Sequence, residues 1–223
     1  LFISDEFGRL DRVDEQLYVE PSMTPEQTRG LREALELARA RTRAVYGGLL
    51  TRPSIIACLS DACARRFGNR GARANSFGNA AILLSPRGLT APMIAHEWSH
   101  TELYQRVGGL RRIQRIPRWF DEGLAVVVSE EPTHSEANWQ EIVRRGLPVP
   151  ALDELVSRAD WLDALRRYGE IGSDDPENLR LVYSRAGHAV RPWLNAVGTE
   201  GLRRLIDGIR RGEAFASAFA AVS

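Results

Sequence analysis

The sequence predicts an α+β fold, with a mixed α/β amino-terminal half carrying a small sheet and an all-helical carboxy-terminal half. Three observations predict it. Short apolar runs bounded by Gly, Pro, Ser and Asn are confined to the first 84 residues. From Thr90 onward the apolar residues recur at helical spacing. Helix start and stop residues also fall at the edges of those periodic stretches. A chain of 223 residues is long enough for one compact domain spanning residues 1–223. Within it the change of pattern puts a lobe boundary near Gly109, giving residues 1–109 and 110–223.

The elements follow in order. Residues 16–20 form a short strand. Thr24, Pro25 and Gln27 make a helix start, with Thr24 as cap and Pro25 in the first turn. Leu31, Ala34, Leu35 and Ala38 give the apolar stripe, and Gly47-Gly48 ends the helix. Residues 54–59 are a β-branched strand. Arg73–Phe77 and Asn79–Leu84 form a strand pair turning near Gly78. Thr90 caps a helix that runs to Val107 and stops at Gly108-Gly109. Another helix follows Pro117 over 118–130, and shorter ones fit Glu136–Arg145 and Asp160–Arg167. Glu177–Val197 is helical in pattern, with Pro192 expected to kink or break it. Thr199–Arg211 and Glu213–Val222 close the chain.

Composition excludes several classes. With 43% hydrophobic residues, 26% charged residues and a net charge of +1, the chain is not disordered. The near-neutral balance argues against a strongly basic surface, so no nucleic-acid partner is expected. No run approaches 18 apolar residues, so no segment reads as a membrane-spanning helix. All 30 basic residues are Arg, which fits a coding bias, although Arg also suits fixed anion contacts. The first residue is Leu1, as in a processed or trimmed chain that a signal peptide or membrane anchor could precede. No feature specifies an oligomeric state.

Cys58 and Cys63 are the only cysteines. Their separation across a turn at Ser60-Asp61 brings a disulfide within reach, with two reduced, half-buried thiols as the alternative. A bridge would fit an exported protein, periplasmic or anchored on the periplasmic side of a membrane. Two thiols without further Cys do not make a structural zinc site.

His96-Glu97-Trp98-Ser99-His100 reads H-E-x-x-H. Four residues apart on a helix, the two imidazoles share one face and can reach one metal ion. Glu97 lies beside them, placed to hold a water. Chance would supply this pattern about 0.006 times in a chain of this composition. A catalytic zinc takes three protein ligands and keeps a fourth position open. Downstream, Trp119-Phe120-Asp121-Glu122-Gly123-Leu124-Ala125 places Glu122 early in an apolar helix, where an inward carboxylate needs a partner.

H-E-x-x-H followed by W-F-x-E-G-L-A resembles the gluzincin metallopeptidases. These include thermolysin-like enzymes and the aminopeptidase N family, whose W-L-x-E-G-F-A segment supplies the zinc-binding Glu. The resemblance implies a zincin-like fold and Zn2+ held by His96, His100 and Glu122, with Glu97 as catalytic base. It is strongest over residues 93–125. A weaker likeness extends to small bacterial peptidase-MA-like proteins. In these a Tyr-x-x-x-G segment often follows the third ligand, as Tyr183-Ser184-Arg185-Ala186-Gly187 does here. The spacing from His100 to Glu122, 22 positions, is slightly longer than in the families named. One departure concerns the outer shell. Thermolysin-like enzymes carry an Asp four residues after the Glu ligand, whereas this chain has Val126.

The implied activity is zinc-dependent hydrolysis of peptide bonds in a peptide or protein substrate, with endopeptidase action expected. Glu97 would take a proton from the attacking water. A donor to the developing oxyanion is sought among Tyr183, His188, Tyr104 and Arg185, with Tyr183 and His188 first. The zincin resemblance also implies that the strand before the metal helix, Asn79–Leu84, lies exposed along the substrate. Between the ligands, Arg106, Arg111, Arg112, Arg115 and Arg118 either attract anionic partners or form a solvated loop. The same residues would serve an amidase on cell-wall peptides. A peptide-binding module with structural zinc is the non-enzymatic alternative, but a structural site has no use for Glu97.

Overall fold

A computed structural model describes residues 9–168 and 179–223, with Leu179 described by its backbone alone. It divides into two compact units, residues 1–105 and 106–223. Among the described residues the architecture is α+β, as expected.

The first unit is built on a five-stranded mixed sheet. In chain order its elements are β1 (Asp11–Arg12), β2 (Leu17–Val19), α1 (Pro25–Tyr46), β3 (Ser54–Ala57), α2 (Asp61–Arg66), β4 (Ala74–Phe77), β5 (Ala81–Leu84) and α3 (Ala91–Val107). The strand order is β1-β2-β3-β5-β4. The three inner strands run parallel, and β1 and β4 are antiparallel edges. Burial on both faces explains why the inner strands read as unbroken apolar runs. Ile56 and Leu83 pack with Cys58, Cys63 and Ala64 on one face. Ile55, Ile82 and Leu84 alternate to the other and are fully buried.

The helix signals work as read. Thr24 and Gln27 form a reciprocal capping box, and Gly47 ends α1 at φ 69°. Thr90 Oγ1 accepts from the Met93 N–H at the start of α3. The Ser60-Asp61 turn is also the start of a helix, since Ser60 caps α2. Cys58 and Cys63 are bridged, with Cα atoms 5.5 Å apart, and both are buried. Glu20 anchors the same turn, accepting from the N–H groups of Leu59 and Ser60 and from the Ser60 hydroxyl. The disulfide points to a non-reducing location. No helix among the described residues is long and apolar enough to cross a membrane.

Two expectations need correction. The strand expected over Asn79–Leu84 is Ala81–Leu84, because residues 78–80 form its turn, and it is not an edge. It pairs with β3 on one side and β4 on the other, so among the described residues β4, not β5, is the edge on that side of the sheet.

The second unit is helical: α4 (Leu110–Ile113), α5 (Arg118–Ser129), α6 (Glu136–Arg144), α7 (Arg158–Tyr168), α8 (Leu179–Arg211) and α9 (Phe215–Ala220), with 3-10 turns at Pro132–His134 and Leu152–Leu155. Pro192 does not break α8. The non-helical residue is Gly198, at φ 63° and ψ −169°. A proline removes one backbone bond and can be carried by packing, whereas glycine accepts a left-handed turn without steric cost. The start expected at Glu177 lies outside the described residues. α5 and α8 pack where neither backbone carries a side chain. A Cβ on Gly123 would collide with the Ala186 carbonyl, and one on Gly187 with Val126. Beside this crossing, Trp119, Phe120, Trp193, Phe215 and Phe219 meet mostly edge to face.

Candidate metal centre

α3 is fixed in rotation by the side opposite its histidines. Glu102 is fully buried and accepts from the backbone N–H groups of Leu50 and Thr51 and from the Thr51 hydroxyl. Trp98 Nε1 donates to Thr51 Oγ1 at 3.0 Å, and Tyr46 in α1 donates to the Ser99 carbonyl at 3.0 Å. At about 100° per residue, Trp98 and Glu102 lie roughly opposite His96 and His100. Buried polar bonds to the chain entering β3 thus set which way the imidazoles face.

His96 is 7% exposed, and its Nε2 lies 3.3 Å from His100 Nε2, with the rings near perpendicular. That separation is at the long edge of hydrogen bonding. It also matches two imidazole nitrogens on one tetrahedral ion with metal–nitrogen bonds of about 2.0–2.1 Å, which stand about 3.3 Å apart. Glu97 is half-buried, and among the described residues its carboxylate makes no hydrogen bond or ion pair. Tyr104 follows His100 by one turn and sits over the β4–β5 turn at Gly78.

In the second unit, Glu122 is 3% exposed in the first turns of α5. Arg118, at the head of the helix, pairs with Glu122 Oε1 at 2.5 Å and with Asp121 Oδ2 at 2.6 Å. Val126 meets Gly187 of α8, so the position where thermolysin-like enzymes carry an Asp serves the helix crossing here. One ligand atom from each of His96, His100 and Glu122 lies within 4.8 Å of the others, and this buried group could hold a metal ion. Two imidazoles and a carboxylate form a donor set suited to a divalent transition metal. Glu20, Cys58 and Cys63 also cluster, but the bridged sulfurs are not available as thiolate ligands.

Tyr183 is half-buried in α8, stacked on His134 at 5.3 Å and edge-on to Trp161 at 5.1 Å. His188 stacks on Trp139 at 4.4 Å and holds Nδ1 3.1 Å from Glu136 Oε2. Arg185 lies 5.8 Å from the centre of the Trp139 ring. Burial would raise the Glu136 carboxyl, but hydrogen bonds from His188 and Gln140 and the charges of His188 and Arg191 outweigh it and hold the group below its ordinary value.

Arg118 is the residue that spacing undersold. The sequence groups it with the basic loop, whereas the structure turns it onto two carboxylates of its own helix. The signal was present in the i,i+3 and i,i+4 spacing to Asp121 and Glu122. Arg111, Arg112 and Arg115 are exposed, as a solvated loop requires. Comparisons with family models, curated proteins and solved structures find no match to this chain.

Proposed function

We propose that this chain is a zinc-dependent peptidase of gluzincin type, zincin-like in arrangement, acting within extended peptides. The observation that carries the reading is the convergence of His96, His100 and Glu122 beside a Glu97 carboxylate that has no partner among the described residues. Three ligands leave a coordination position open, as catalytic sites do. A bound zinc would polarise the scissile carbonyl and make water more acidic.

The remaining work belongs to the chain. Glu97 takes a proton from the attacking water and returns it to the leaving amine. With no partner among the described residues, its carboxylate is left to hold that water. The oxyanion is assigned to Tyr183 or His188. Glu136 fixes the His188 ring from Nδ1, as a positioned donor requires.

The edge strand β4 supports peptide binding. Arg73 O accepts from Ser85 N, so the antiparallel alternation turns the backbone groups of Ala74 and Ser76 away from β5. Among the described residues no strand pairs with that side of β4. An extended substrate could add there by backbone hydrogen bonds, with little dependence on its sequence. An exported, periplasmic setting belongs to the same proposal and agrees with the disulfide.

The test is hydrolysis of a peptide mixture, followed by mass spectrometry. Cleavage should stop when a chelator removes the metal and return when zinc is restored. Cleavage indifferent to chelation would overturn the proposal.

A further inference from the structure

Arg118 makes a fork on α5. One guanidinium nitrogen meets Asp121 Oδ2 at 2.6 Å and another meets Glu122 Oε1 at 2.5 Å. Both carboxylates are buried, with side chains 8% and 3% exposed, while Arg118 is 36% exposed. The arginine is anchored by its own backbone, since its N–H donates to the Val156 carbonyl at 2.8 Å. Such a fork does more than neutralise charge. A planar guanidinium fixes the direction of each carboxylate it touches, which a point charge cannot do.

Asp121 takes part in that geometry. Glu122 alone could rotate about its side-chain torsions while keeping its ion pair. With a second arm held by Asp121, the guanidinium plane is set, and the Glu122 oxygen it contacts is set with it. Val126, where an outer-shell Asp would otherwise stand, is committed to the α5–α8 crossing. The contact that holds Glu122 itself comes from one turn earlier, from Arg118 on the amino-terminal side of the ligand.

We propose that Arg118 is the positioning residue of the third metal ligand. It occupies Glu122 Oε1 and thereby presents Glu122 Oε2 as the single donor oxygen. This rests on the metal-centre reading above. Outer-shell partners of metal ligands carry about 10–100-fold in metal affinity. An opposite effect competes. A guanidinium draws electron density from the carboxylate, so removing it could strengthen the donor. The two effects differ in sign, and affinity therefore separates a positioning residue from a mere counter-charge.

The experiment measures zinc dissociation constants by competition with a chromophoric chelator, for wild type, Arg118→Ala and Arg118→Lys. Metal-free melting curves are recorded alongside. Arg118→Ala should weaken zinc binding about 10–100-fold. Arg118→Lys keeps a positive charge against the two buried carboxylates, and so the fold, but loses the fork; it should weaken binding by a smaller factor. If Arg118→Ala fails to fold, Arg118→Lys alone decides. Cobalt(II) provides a second readout, because Glu122 released to bind through both oxygens changes the shape and intensity of the d–d bands. Zinc binding as tight as wild type or tighter in the folded variants, with unchanged cobalt spectra, would overturn the proposal and leave the metal centre standing. A wild-type chain that takes up no zinc would overturn both.

Discussion

Glu97 and Glu122 are both carboxylates on helices that carry the candidate ligands, and their surroundings differ. Glu122 is buried and paired with Arg118, whereas Glu97 is half-buried without a partner among the described residues. Glu97→Gln should therefore keep its zinc and lose about 10²–10⁴-fold in peptide hydrolysis, since only proton transfer is removed. Glu122→Gln should lose zinc more readily in a chelator competition, because a neutral amide is the poorer ligand. The opposite pattern would exchange the two roles. Away from the centre, the Glu136–His188 pair makes a pH prediction. The Glu136 carboxyl lies below its ordinary value in the folded chain, so its stabilisation is full above the unfolded pKa and fades as pH falls through the folded one. Glu136→Gln should thus lower the melting temperature modestly near pH 6, and the difference should vanish in acid. A difference that persists at low pH would assign the effect to packing on Trp139. The two histidines of the candidate metal group were legible because imidazole pairs at helical spacing are rare. Arg118 was not, because charge at i,i+3 and i,i+4 usually means a solvated helix face.

At the scale of elements, α5 bears the candidate ligand and α8 bears Tyr183 and His188, and two glycines set their separation. Gly123 faces a backbone carbonyl, whereas Gly187 faces a valine side chain. Gly123→Ala should cost about 1–3 kcal/mol by overpacking, and Gly187→Ala less. Chemical denaturation of both variants checks the order, and equal stability to wild type would mean the helices do not meet as described. The glycine of the W-F-x-E-G segment thus has a packing reason that its sequence does not reveal. Helix caps were readable at Thr24 and Thr90 because capping is local. The position of β5 inside the sheet was not, because strand order depends on long-range pairing, and Ala81–Leu84 looks the same at an edge or in the middle. The break between Val197 and Thr199 was readable and falls at Gly198, whereas the further interruption expected at Pro192 does not occur, because packing can carry a proline that propensity alone ranks as a breaker.

At the scale of the whole molecule, the chain divides into two units of different architecture, and the disulfide stabilises the first of them. Closing so short a loop contributes about 2 kcal/mol in the chain-entropy account. Denatured, unreduced protein from an oxidising compartment should show almost no free thiol, whereas two thiols would contradict the bridge. The α+β class was legible from the switch of periodicity near residue 90. The grouping of Glu122 with the histidines was beyond reach of periodicity, because 21 intervening residues allow many arrangements. Zinc content per chain therefore tests the central claim most directly. Protein purified without chelator and dialysed against buffered zinc should hold about one zinc per chain. That zinc should be lost in His96→Ala, His100→Ala and Glu122→Ala and kept in Glu97→Gln. A wild-type chain that remains metal-free under those conditions, or three ligand variants that still retain the ion, would contradict the centre.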